Sequence, residues 1–71
     1  MPSKYPVMKP KEIINKLTKK NFYYVSQKGS HAKYTDGKHV VIIPMHEEIA
    51  KGTLKSILMQ AGIELDEFLN L

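Results

Sequence analysis

Phe22-Tyr23-Tyr24-Val25-Ser26-Gln27-Lys28-Gly29-Ser30-His31-Ala32-Lys33-Tyr34-Thr35-Asp36-Gly37-Lys38-His39-Val40-Val41-Ile42-Ile43-Pro44 is the stretch whose reading decides the fold. It opens on aromatic and β-branched residues, which favour extended backbone, and Lys28-Gly29 then marks a turn. From His31 to Thr35 the chain alternates. Ala32 and Tyr34 fall on one face and His31, Lys33 and Thr35 on the other, as the two-residue period of a strand requires. Asp36-Gly37 is the strongest hairpin signal in the chain, because a type I′ turn needs positive φ at both central residues. It leads into His39-Val40-Val41-Ile42-Ile43, which Pro44 ends. The reading is a three-stranded antiparallel meander.

Outward toward the N-terminus, Pro2, Pro6 and Pro10 make residues 1–8 an extended lead. Pro10 suits the first turn of a helix, where its missing N–H has no partner to lose. A helix therefore starts near Lys9 or Pro10, with Ile13, Ile14 and Leu17 on one face and Lys11, Lys16, Lys19 and Lys20 around the rest. Asn21 supplies a left-handed cap. Outward toward the C-terminus, a linker through Met45-His46-Glu47-Glu48 precedes Leu54, Ile57, Leu58 and Ala61, whose i, i+3, i+4, i+7 spacing marks a second amphipathic helix. Thr53 is placed to cap it and Gly62 to terminate it. Asp66-Glu67-Phe68-Leu69 adds a short third turn. The order α-β-β-β-α predicts an α+β two-layer sandwich with both main helices on one sheet face and the other face free.

Seventy-one residues form a single domain, 1–71. Hydrophobic residues at 42% and charged residues at 25% describe a globular chain rather than a disordered one. A core of this size supplies only about 3–5 kcal/mol of net stability without a staple, so a stabilising partner chain is expected. Without cysteine there is no disulfide framework, thiolate metal site or Cys nucleophile. The longest apolar run, Val40 to Ile43, is too short to span a membrane, and the first residues do not resemble a signal peptide, which predicts a cytoplasmic protein.

Charge is divided unevenly. Residues 1–46 carry nine Lys against Glu12 and Asp36, a balance of +7, whereas residues 47–71 carry Lys51 and Lys55 against five acids, a balance of −3. The basic part suits a polyanion such as nucleic acid. The chain contains no Arg, so bidentate reading of guanine edges is absent and contact with the phosphate backbone is favoured over sequence-specific DNA recognition.

Three places carry groups capable of chemistry. Gly29-Ser30-His31 sets a histidine at the start of a strand on the lysine-bearing face, beside Lys33. There it has the means to take a proton from a 2′-hydroxyl or give one to a leaving 5′-oxygen. Lysines would stabilise the added negative charge, and no metal is needed. On spacing alone Gly-Ser-His is unspecific, and a polar hairpin residue without a catalytic role is the favoured reading. Lys51-Gly52-Thr53 stands at the start of the second helix, where N–H groups and the dipole attract an anion, with Lys55 one turn on. A plain capping arrangement is favoured over a phosphate site there. His46 reads as a loop histidine with a supporting role open to it, and the spacing of His31, His39 and His46 matches no common zinc pattern. Core packing and cross-strand pairing account for most of Phe22, Tyr23, Tyr24 and Tyr34, and none is assigned a base-binding role.

Gly29-Ser30-His31, taken with Lys33-Tyr34, Pro44-x-His46, Gly52-Thr53-Leu54, Ile57-Leu58 and Gln60-Ala61-Gly62-Ile63, resembles the HicA-type mRNA interferase toxins of bacterial and archaeal toxin–antitoxin pairs. The likeness runs from the first helix to Phe68. It implies a fold like that of double-stranded-RNA-binding domains and metal-independent endoribonuclease activity on mRNA without a cofactor. It also implies His31 as the catalytic histidine and a HicB-type antitoxin covering the active face. The free protein is then expected to be a monomer, and the neutralised one a hetero-oligomer with the antitoxin. Lys28, Gly29, Ser30, Lys33, Lys51, Thr53 and Lys55 are the expected RNA contacts, the lysines on electrostatic grounds. Many relatives have Gly before the aromatic residue that begins the first strand, where this chain has Asn21-Phe22. Glu64 stands where a Ser cap is common. The alternative reading is a non-catalytic RNA-binding module of the same fold.

Overall fold

The computed structural model describes residues 5–45 and 48–71. The elements run α1 (Pro10–Thr18), β1 (Tyr23–Lys28), β2 (His31–Thr35), β3 (Val40–Pro44), α2 (Lys51–Ala61) and α3 (Leu65–Leu69). This is the expected α-β-β-β-α order with the short third helix added. The three strands form one antiparallel sheet in the order β1-β2-β3.

Period-two alternation sorts the sheet into two faces. Ala32, Val41 and Ile43 are buried and Tyr34 is partly buried. Val41, Ile43 and Tyr34 join Ile13 and Leu17 of α1, Leu54, Ile57, Leu58 and Ala61 of α2, and Phe68 of α3 in one core. The apolar spacing read in both helices is therefore the spacing of the core. On the opposite face the described residues carry no covering element, and Val40 and Ile42 remain exposed. Among the described residues, no helix is long and apolar enough to cross a membrane.

Helix ends and turns follow local chemistry, with two departures. Pro10 is the first residue of α1, and the Lys9 backbone N–H donates to the Glu12 carboxylate at 2.9 Å, joining the flanking residue to the first turn. Asn21 adopts φ +70, the left-handed turn by which the chain leaves α1 for β1. Helix α2 begins two residues before Thr53, with Ala50 at the N-cap, so Thr53 lies inside the first turn and caps nothing. Glu64 flanks α3 in the N-cap position without a side-chain bond.

The second departure lies in the hairpin between β2 and β3. It forms, but not as a two-residue type I′ turn at Asp36-Gly37. Thr35 pairs with Val40, leaving four residues in the loop, and of these only Gly37 has positive φ. Side chains organise it instead. The Asp36 carboxylate accepts the backbone N–H of Lys38 at 2.9 Å and of His39 at 2.7 Å, while Thr35 Oγ1 accepts the Gly37 N–H and donates to the His39 carbonyl. Bonds from the His39 and Lys38 backbone favour the ionised carboxylate and hold Asp36 down to about 2.

The same loop is pinned to α2. Asp36 Oδ2 lies 3.2 Å from His39 Nδ1, and the His39 ring rests against Gly62, the left-handed C-cap of α2. A Cβ on Gly62 would stand 2.8 Å from His39 Nε2. Two costs therefore meet at one glycine. Gly62→Ala is expected to lose about 2 kcal/mol, from the left-handed backbone and the displaced ring together. In a thermal melt this is a fall in Tm of roughly 8–16 °C. Adding His39→Ala should recover the steric part and leave the backbone part.

Candidate nucleic-acid interface

Register converts the strand alternation into three rows across the open face. Tyr23 pairs with Thr35, and Thr35 with Val40; Ser26 pairs with Lys33, and Lys33 with Ile42; Lys28 pairs with His31, and His31 with Pro44. A register shift between Tyr24 and Ser26 makes Val25 the extra residue of a bulge, so Ser26 and Lys28 share the face of Tyr23. No strand contributes an acidic residue. The face thus offers lysines, a histidine and apolar groups together.

His31 occupies one end of this surface, and the local backbone explains its placement. Lys28 and His31 bracket a two-residue turn in which Gly29 has φ +61 and Ser30 does not have positive φ, as a type II′ hairpin requires. Gln27 Nε2 donates to the Gly29 carbonyl at 3.0 Å, and the Met45 backbone N–H donates to the Ser30 carbonyl at 2.6 Å. The turn is tied on both sides. His31, Lys28, Ser30 and Lys33 are all exposed.

Helix α2 brings the second basic cluster toward the same end. Its C-terminal half lies along β3 with Gln60 Oε1 accepting the Ile42 N–H at 3.1 Å, and its cap Gly62 touches His39 before the start of β3. The helix therefore runs antiparallel to β3. Its N-terminus, with exposed Lys51 and Lys55, lies at the end of the sheet where His31 pairs with Pro44. Its first turn contains no acidic residue and Thr53 is half-buried. His46 lies outside the described residues. His39 belongs to the opposite end, where it packs against the α2 cap. Among the described residues, no three His, Asp or Glu side chains gather as a metal site.

The tyrosines divide in a way that core packing alone does not describe. Phe22 is buried, Tyr34 packs against the core, and Tyr24 meets Tyr34 edge-to-face at 5.8 Å. Tyr23 is different. It is 55% exposed on the open face and pairs across the strands with Thr35, so of the two expected roles it has the cross-strand one and not the core one. Alternation from buried Phe22 would have identified its side of the strand.

A cavity of about 320 Å³ lies at the far end of α2, lined by Tyr5, Leu58, Met59, Ile63, Glu64, Leu65 and Asp66. Among the described residues no lysine or histidine lines it, and it is apart from the sheet face.

Comparison with known proteins adds one match. The model of the HicA toxin of bacterial toxin–antitoxin systems matches residues 10–63, from the first residue of α1 through α2 to Ile63. No curated protein matches the chain. The matched residues span most of the chain and include all three strands, the turn that presents His31 and the α2 cap, so the chain belongs to the HicA toxin family.

Proposed function

We propose that the protein is an mRNA interferase, an endoribonuclease that cleaves mRNA without a metal ion and uses His31 as general acid or base. The observation that carries this reading is an exposed histidine at the end of an acid-free sheet face, flanked in register by Lys28 and followed on its own strand by Lys33. Imidazole is the side chain best suited to both taking and giving a proton near neutral pH.

The reaction uses the nucleophile already present in RNA. A 2′-oxygen attacks the adjacent phosphorus as its proton passes to a base, and the bond to the 5′-oxygen breaks as that oxygen takes a proton from an acid. The products are a 2′,3′-cyclic phosphate and a 5′-hydroxyl. His31 serves one of these transfers. Lys28 and Lys33 stabilise charge building on the phosphoryl oxygens, and Gly29 and Ser30 let the backbone of the turn approach the strand. Lys51, Lys55 and Thr53 receive phosphates further along, where the α2 N-terminus adds its dipole. His46 is a supporting group in this scheme.

Membership of a toxin–antitoxin family implies an antitoxin partner. We assign that role to a HicB-type protein covering the open sheet face, where exposed Val40 and Ile42 lie beside the lysines. The free toxin is then a monomer of one domain acting in the cytoplasm, and the neutralised toxin a hetero-oligomer. The test is incubation of end-labelled mRNA with the purified protein in EDTA. Fragments ending in cyclic phosphate are expected; tight, salt-sensitive RNA binding without cleavage would leave only a binding module.

A further inference from the structure

We infer that Tyr23 is a base-stacking residue that makes the open sheet face a platform for single-stranded RNA, holding one base a few nucleotides from the phosphate at His31. This rests on the ribonuclease reading above and specifies the form of RNA that the site accepts.

Four observations converge on Tyr23. It is one of two exposed tyrosines of β1 and, among the described residues, the one Phe or Tyr that the register places on the open face, since Tyr24 faces Tyr34. It stands opposite Thr35, four residues along β2 from His31, a span of about 13 Å at the rise of an extended strand. Lys33 lies in the row between them, and Lys28 lies beside His31. No acidic residue interrupts the path on any strand.

An aromatic ring beside a row of cations matches the two surfaces that an unpaired strand presents, its phosphates and the faces of its bases. A duplex offers the phosphates alone, because its bases are stacked on one another. Lysines would bind either form, so they do not discriminate, whereas an exposed ring rewards only the form with free base faces. The bulge at Val25 contributes by turning Ser26 and Lys28 onto the side of Tyr23. Gly29 and Ser30, at the His31 end, leave that end of the track low. The face also holds Val40 and Ile42, but these lie on β3, across β2 from Tyr23.

The experiment compares Tyr23→Ala, Tyr23→Phe and Tyr24→Ala with the unaltered protein. It measures binding to a 2′-O-methyl single strand, which resists attack by its own 2′-oxygen, and to the same sequence as a duplex. Tyr23→Ala is expected to weaken single-strand binding roughly 5- to 150-fold, the range for losing one base stack. Duplex binding should stay unchanged. Tyr23→Phe keeps the ring and should remain within about twofold of the parent. Tyr24→Ala removes an equally exposed ring from the other face and should also bind normally.

A single abasic nucleotide moved along the strand should weaken binding at one position, and that effect should vanish in Tyr23→Ala. Equal single-strand affinity of Tyr23→Ala and parent overturns the inference, as does loss confined to binding of an antitoxin. Failure of the parent to bind any single strand overturns it as well. Normal stacking behaviour with no cleavage of unmodified RNA would instead count against the ribonuclease reading alone, so the two failures are distinguishable.

Discussion

His31→Ala is expected to reduce RNA cleavage by about 10²- to 10⁴-fold while leaving RNA affinity within a few-fold of the parent. The size follows from removing a proton-transfer group without disturbing the binding surface. His31 is exposed at the first position of β2, and its removal creates no cavity in the core, which is built on the other face. The turn is held by Gln27 to the Gly29 carbonyl and by Met45 to the Ser30 carbonyl, neither of which uses the imidazole. Lys28 and Lys33 remain, so phosphate attraction persists. The check is paired: initial cleavage rates in EDTA and binding of an uncleavable strand, both with a folded variant. Parallel loss of the two would make His31 a contact rather than a catalyst. Equal cleavage by variant and parent would direct attention to another group, or to a contaminating nuclease.

Much of this site could be read before its geometry was known. Strand alternation put His31, Lys33 and Thr35 on one side, and the register confirms that grouping against Lys28 and Pro44. The spacing of Leu54, Ile57, Leu58 and Ala61 identified the buried stripe of α2, because burial and helical period express the same constraint. What remained hidden depended on contacts between distant residues. Asp36-Gly37 carries a strong local turn signal, yet the Asp36 carboxylate finds the Lys38 and His39 N–H groups and stabilises a longer loop. The contact of His39 with Gly62 joins a hairpin to a helix cap and has no local signature.

Start positions and facing directions were similarly resistant. Thr53 is a good capping residue, but the chain enters α2 at Lys51, following the short antiparallel bridge of Met8 with Ile49. That entry, with the antiparallel run of α2 along β3, brings Lys51 and Lys55 toward the His31 end. Tyr23 takes cross-strand pairing with Thr35 rather than a place in the core, a division between the two expected roles that residue type alone does not decide. The buried role belongs to Phe22, and the next residue of a strand must face the other way. A bulge after Tyr24 then shifts the rest of β1, which no composition signal announces.

Phe68→Ala should be the most destabilising single change, costing about 3–5 kcal/mol, the usual range for truncating a buried phenylalanine. Phe68 lies beyond the residues matched by the family, yet it is fully buried and belongs to the same core as Ile13, Leu17, Val41 and Ile57. Five residues of helix cannot hold themselves, so α3 depends on its docking. Lys16 lies over the Phe68 ring at 5.8 Å and reaches the carbonyl of Leu71, and Lys20 pairs with Glu67, fastening α3 to α1 and to the turn that follows it. These rim interactions are only partly shielded from water and individually weak, so the ring supplies most of the attachment. A domain of this size has only about 3–5 kcal/mol in total, so losing the ring consumes nearly all of it. Urea titration or thermal melting should find the isolated variant largely unfolded at 25 °C. Phe68→Leu, which keeps most of the volume, should fold with a reduced midpoint. A cooperative, parent-like transition in Phe68→Ala would show that residues 10–63 sustain the core without α3.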